Sequence, residues 1–144
     1  MNYNDLIQLY FERSNSLQSY WTLYVVVIGG LLAFSSIRKQ GDMVTTLLVS
    51  ILFSFFAFKN LDAIHDVTVQ RFAALDALKK FSPTGADGAN VVSARSAIEP
   101  TLTPPEYGGV RNFHVTSDVL TVLALWSMER RRRRHADDVK ADQH

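Results

Sequence analysis

Apolar residues fall into three blocks, residues 21–37, 43–58 and 113–128, and almost every charged side chain lies between or beyond them. Strings such as Val25-Val26-Val27-Ile28 and Ile51-Leu52-Phe53 are apolar on every face of a helix, unlike the single stripe of a soluble surface helix. A hydrocarbon core about 30 Å thick takes about 20 residues of helix. The blocks hold 17, 16 and 16, and their flanks supply the rest. Residues 14–37 carry no charge, and Lys59 can reach from the end of the second block to the interface. A soluble bundle of buried helices is the rival that blocks of this length allow, and the all-round apolarity favours the membrane. The pattern predicts an all-α integral membrane protein with three transmembrane helices, the first two forming a long antiparallel hairpin that projects beyond the outer face.

The elements follow in chain order within one membrane domain, residues 1–144. Residues 1–19 form an outer helix, with a cap at Asn2 or Asn4 and Asp5 in the first turn. Tyr3, Leu6, Ile7, Tyr10 and Leu17 recur at helical spacing. The segment either lies on the membrane or extends the first span straight outward. That span is residues 20–37, with Tyr20, Trp21 and Tyr24 where an aromatic belt belongs. Residues 38–42 are a tight turn, with Gly41 suited to a left-handed helix end. The second span, 43–60, continues as an outer helical extension over 61–81, carrying Leu61, Ile64, Thr68, Phe72, Leu75 and Leu78 as its apolar stripe. About 20 residues at 1.5 Å each would extend the helix roughly 30 Å beyond the membrane. Counting back from the turn puts residue 13 level with 67, which suggests ion pairs Arg13–Asp66 and Glu12–Arg71. Residues 82–112, with Pro83, Gly85, Gly88, Pro100, Pro104, Pro105, Gly108 and Gly109, form an outer loop holding at most a short helix over 89–98. Residues 113–129 are the third span, and 130–144 a short polar basic tail expected to be disordered.

Charge orients the chain. The 38–42 turn holds Arg38 and Lys39, and the tail holds Arg130, Arg131, Arg132, Arg133, Arg134 and Lys140. The N-terminal segment holds only Arg13, and residues 59–112 carry six basic and six acidic side chains spread out. Basic excess marks the cytoplasmic side, so turn and tail are cytoplasmic and the N-terminus is outside. Lys59 and Arg111 count against this and are outweighed. The size and simplicity of the chain suggest a bacterial inner membrane. A retained anchor is expected rather than a cleaved signal, because Asp5, Glu12 and Arg13 replace the basic start of a signal segment. The formal net charge is +1 and there is no cysteine, so no thiolate site exists. The arginine run is read as a topology anchor touching anionic lipid headgroups. It has no interleaved aromatic residue, and no nucleic-acid partner is expected.

Three sets of residues carry the candidate chemistry. His114, Ser117, Asp118 and Thr121 lie on one face of the third span, where a lone charge costs at least about 2.5 kcal/mol and must be paired, hydrated or protonated. Asp62, His65 and Asp66 share a face just above the second span. Together with His114 and Asp118 they could form an outward-facing pocket for a divalent metal, although helical rise sets His65 and His114 roughly 12 Å apart in height. Gly29 and Ala33 in the first span, with Ser36, and Ser50 and Ser54 in the second, with Thr46, are expected at helix-packing surfaces. For the small-residue stripe, packing within the chain is preferred over self-association. No nucleotide loop, nucleophile arrangement or zinc-protease motif is present.

These features favour a small, non-enzymatic membrane protein that acts as a subunit of a membrane complex or as a homo-oligomer. Its partners would be the lipid bilayer and other membrane subunits or itself. An oligomeric ion or proton conductor using the His114–Asp118 face is the first alternative, and a metal-binding protein or enzyme with the outer His/Asp pocket the second.

Overall fold

The computed structural model describes residues 2–82, 88–102 and 106–141. Among them the chain is helical without strands. The elements are α1 (Tyr3–Ile37), α2 (Met43–Lys80), α3 (Gly88–Ile98), a 3-10 turn (Glu99–Thr101) and α4 (Tyr107–Ala141). The expected breaks at Pro83, Gly85, Pro104 and Pro105 lie outside the described residues.

The helix starts follow capping chemistry. Asn2 Oδ1 accepts from the Asp5 amide at 2.9 Å, and Asp5 Oδ2 accepts from the Asn2 amide at 2.8 Å. This reciprocal pair satisfies two of the donors a helix start leaves open. At α2, Asp42 accepts from the Val44 amide (3.0 Å) and the Thr45 hydroxyl. These bonds favour the charged carboxylate and hold its pKa below the ordinary value. Nothing interrupts α1 at Ser14-Asn15-Ser16, because Ser14 and Ser16 donate back to the carbonyls of Tyr10 and Glu12. The N-terminal segment is therefore an extension of the first apolar block. Likewise α4 continues to Ala141 rather than ending near residue 129, so the tail expected to be disordered is helical through that residue.

Most buried positions in α2 form the series Thr46, Ser50, Phe53, Ala57, Asn60, Ile64, Val67, Arg71, Ala74 and Leu78, with Thr68 and Leu75 buried beside it. They alternate four and three residues apart, the 3.5-residue period of a helix packed along a seam. In α1, Tyr3, Tyr10, Leu17 and Tyr24 are buried at intervals of seven. This period corrects the expected stripe: Ile64, Thr68, Leu75 and Leu78 are buried, whereas Phe72 is exposed.

The chain divides into two compact units. The first comprises residues 1–20 and 62–110. Its core is Tyr3, Leu6, Tyr10, Ala74, Leu75, Leu78 and Leu102, bordered by Phe81, Val91 and Ile98. Tyr3 rests against Phe81, with ring centroids 5.7 Å apart. Burial pushes the Tyr3 phenol pKa up; Glu99 adds to the rise and Arg95 opposes it. In place of the expected Glu12–Arg71 ion pair, Arg71 meets the phenol of Tyr10, which occupies the buried seven-residue position while Glu12 is exposed. Arg71 donates to the Tyr10 hydroxyl at 3.1 Å and lies 5.1 Å over its ring. From α3, Arg95 donates to the carbonyls of Phe81 (2.8 Å) and Lys79 and pairs with Glu99 at 2.8 Å. It thereby satisfies carbonyls that the end of α2 leaves open.

The second unit comprises residues 21–61 and 111–144, and its polarity is reversed. Val25, Val26, Leu52, Phe55, Phe58, Phe113, Leu120 and Leu123 are all exposed, while Tyr24, Ser35, Thr46, Asn60, His114, Thr121 and Glu129 are buried. Two helices, α1 and α2, are long and apolar enough to cross a membrane, and only 11% and 28% of their most apolar windows are buried. Helix α4 is less apolar over its length, because it carries Arg111 and the charged run 129–134 besides the polar face of His114, Ser117, Asp118 and Thr121.

Candidate functional site

Within the second unit, polar side chains meet at two levels, eleven to fourteen residues apart along α1 and α2. The upper level is built around His114, which has no exposed surface. Its Nδ1 lies 2.9 Å from Asp118 Oδ2, one helical turn on. Its Nε2 lies 3.2 Å from Asn60 Nδ2, contributed by α2. From α1 the Tyr24 hydroxyl donates to Asp118 Oδ1 at 2.8 Å and to the His114 carbonyl at 3.2 Å. The Tyr24 ring packs on the imidazole with centroids 4.0 Å apart, and the Trp21 ring lies 5.8 Å from both.

This geometry assigns the protons. An amide nitrogen can only donate, so Nε2 of His114 accepts from Asn60. The ring proton then sits on Nδ1 and goes to Asp118, which also accepts from Tyr24. Asp118 thus has a donor at each oxygen, and His114 has both ring nitrogens occupied. Three helices contribute to one closed network, and the polar atoms it draws inward are hydrogen-bonded as burial demands. Both nitrogens of His114 are engaged by protein groups, so neither is turned to a reacting atom as a general base would require.

The lower level is built around Glu129, 1% exposed. Its Oε2 accepts from the Thr46 hydroxyl at 3.1 Å and from Arg132 at 3.2 Å, and its Oε1 accepts from Arg133 at 3.2 Å. Arg132 also donates to the Ser35 carbonyl and hydroxyl and to the Arg38 carbonyl, filling acceptors left at the end of α1. Arg38 donates to Thr46 Oγ1 at 3.2 Å. Gly41 matters here for space and does not adopt the left-handed conformation expected of it. A Cβ there would lie 3.1 Å from Arg133 Cγ and Glu129 Oε1.

The remaining candidates divide as follows. Ser117 and Thr121 stay on the His114–Asp118 face, and Thr121 donates to the Ser117 carbonyl. Ser50 and Ser54 donate to carbonyls of their own helix, leaving Thr46 as the hydroxyl that bonds across helices. Gly29 and Ala33 face outward, and a Cβ at Gly29 would meet nothing within 4 Å. Intrachain contact on α1 falls instead to Tyr24 and Ser35. Asp62, His65 and Asp66 belong to the first unit. There His65 Nδ1 lies 3.6 Å from Asp66 Oδ1, both exposed, and the His65 ring meets Tyr107 edge-on at 4.7 Å. Among the described residues no three His, Asp or Glu side chains gather as a metal-ligand set. Of the five arginines, Arg132 and Arg133 are taken up by Glu129, while Arg130, Arg131 and Arg134 are exposed.

Local spacing does not mark Tyr24, Asn60 and Glu129 as members of a site. Tyr24 looked like an interfacial aromatic, yet it continues the seven-residue series of Tyr3, Tyr10 and Leu17. Asn60 ends the second apolar block, and its place in the 3.5-residue series of α2 is the signal that would have found it. No family model matches this chain, and no curated protein or solved structure matches it either.

Proposed function

We propose that this chain is a small integral membrane protein of three spanning helices that works by association, as a subunit of a membrane complex or as a homo-oligomer. The observation that carries this reading is the closed network of Tyr24, Asn60, His114 and Asp118. His114 and Asp118 pair within α4, and Tyr24 from α1 and Asn60 from α2 bind that pair from the other two helices, as a structural clamp requires. The reversed polarity of the second unit supports the membrane setting: outward Val, Leu and Phe suit lipid, and inward hydrogen bonds supply the attraction that lipid does not. On this reading residues 113–129 of α4 form the third span. The α1–α2 pair is an antiparallel hairpin extending past the outer face, with the N-terminus outside and the arginine run in the cytoplasm of a bacterial cell. The outward stripe of Gly29 and Ala33 is then available to a neighbouring helix.

Native mass in mild detergent tests this. The expected result is a discrete assembly heavier than the 16.2 kDa chain, either of copies or with other chains at fixed stoichiometry. A lone chain without companions overturns the reading. A conducting oligomer is the second reading, supported by Asp118 keeping 21% of its side chain exposed. It requires that Asp118→Asn stop ion flux in vesicles while the assembly stays intact.

A further inference from the structure

The start of α2 and one face of α4 enclose a groove of about 590 Å³ lined by Met43, Leu123, Trp126, Ser127, Arg130 and Arg133. Its four central α4 residues, Leu123, Trp126, Ser127 and Arg130, are spaced three, four and seven apart and share one helix face. The lining therefore passes from aliphatic to aromatic to hydroxyl to guanidinium over about 10 Å of helix. The polar end carries two guanidinium groups, Arg130 and Arg133. Among the described residues the carboxylate that Arg133 engages is Glu129, which is shared with Arg132. Arg130 has no ion-pair partner among the described residues, and Arg133 engages Glu129 through Nε, leaving its terminal nitrogens available.

We propose that this groove binds one anionic diacyl phospholipid, with the phosphate between Arg130 and Arg133, the glycerol region at Ser127 and Trp126, and an acyl chain along Leu123 and Met43. The proposal rests on the reading of α4 as a membrane span. The graded lining matches a molecule with a charged phosphate, a polar ester region and a hydrocarbon chain in that order. Basic clefts between spanning helices on the cytoplasmic side bind such headgroups, and guanidinium is suited to phosphate. A soluble phosphate would use only the arginine end and leave the apolar half of the groove empty.

The test is native mass spectrometry of detergent-purified protein offered equal amounts of phosphatidylglycerol and phosphatidylcholine with the same acyl chains. One tightly held phosphatidylglycerol per chain is expected, retained about tenfold over phosphatidylcholine. Arg130→Gln should lower that retention about fivefold, and Arg131→Gln, outside the groove, less than twofold. Equal retention of the two lipids, or equal loss in both variants, overturns the proposal. So does full displacement of the lipid by inorganic pyrophosphate, which would make the groove a site for soluble anions. Carbonate extraction of cell membranes separates this from the larger reading. Protein released by carbonate refutes the spanning helices, whereas protein that stays in the membrane without lipid preference refutes the groove alone.

Discussion

Replacing Asp118 separates a hydrogen-bonded clamp from a site that needs an ionisable group. In Asp118→Leu, the Tyr24 hydroxyl loses its 2.8 Å bond and His114 Nδ1 loses its 2.9 Å bond. Hydrogen bonds between helices in a membrane are worth about 0.6 kcal/mol on average and at most about 1.7, so the two together predict a loss of about 1–3 kcal/mol. Asp118→Asn is different, because the network can reverse. The new amide nitrogen donates to Nδ1, the ring proton moves to Nε2, and Asn60 turns its oxygen to accept it. The new amide oxygen still accepts from Tyr24. Every group stays satisfied, and the expected cost is below about 1 kcal/mol. The assay is reversible unfolding in mixed micelles titrated with SDS, followed by Trp21 fluorescence in a Trp126→Phe background. Trp21 is the better reporter because its ring touches those of Tyr24 and His114. If Asn is as damaging as Leu, the charge itself holds the helices and the proton assignment is wrong. If both variants unfold like the parent, the network is not a clamp.

The lower level invites parallel tests in the same titration. Arg132→Ala removes four hydrogen bonds and strips a partner from buried Glu129, so it should cost about 2–4 kcal/mol; exposed Arg131→Ala should change stability by less than about 0.5 kcal/mol. Gly41→Ala, meeting Arg133 and Glu129 at 3.1 Å, should destabilise by about 1 kcal/mol, whereas Gly29→Ala, in open space, should stabilise the single chain by about 0.5–1 kcal/mol. Asp42 gives a pH dependence of known sign. Its carboxylate pKa is lowered on folding, so its support of the α2 start is complete above the ordinary carboxylate range and fades as pH falls through the lower folded value. Amide exchange of Val44 should quicken at acid pH relative to its own intrinsic rate, and Asp42→Asn should flatten that change.

Much of the helical framework is legible in local chemistry. The absence of Pro or Gly between Met43 and Pro83 extends α2 well past its apolar block, and the Asn2/Asp5 pair marks the start of α1. The face carrying His114 and Asp118 is visible from spacing alone. What local chemistry hides is which side of each helix turns inward. Gly29 and Ala33 resemble a docking stripe, but the inward face of α1 is set by the large residues Tyr10, Leu17 and Tyr24, whose seven-residue interval outlasts the change from mixed to apolar composition. The partners of Asp118 and Glu129 are hidden for a related reason. Tyr24 and Thr46 are 94 and 83 residues away from them, and no local rule links positions so far apart. The helical continuation through 130–141 is hidden because composition alone makes the basic run resemble a tail, whereas Arg132 and Arg133 are fastened to Glu129.

The two units show why polar residues occupy opposite places in them. In the first, Tyr3, Leu6, Ala74, Leu75 and Leu78 form an apolar core, and taking apolar area out of water yields about 25 cal/mol per Å². In the second, outward Leu, Val and Phe gain nothing by turning inward if lipid surrounds them, so its helices need another source of attraction and register. Hydrogen bonds supply both, because a donor without its acceptor is costly in hydrocarbon. Two polar levels on the same helices define their rotation and their relative height, since a slide of one turn, about 5.4 Å, would break both together. A single level would allow the helices to pivot about it. This is a physical reason for Glu129 to be as deeply buried as His114, and it makes a specific demand on the double variant. Asp118→Leu combined with Arg132→Ala should leave the helices formed but without fixed packing, so that far-UV circular dichroism persists while the Trp21 signal loses its cooperative transition. A double variant that still unfolds cooperatively, with a cost equal to the sum of the single ones, would show that the apolar contacts of Phe53, Ala57 and Leu125 between the two levels are sufficient to set the register.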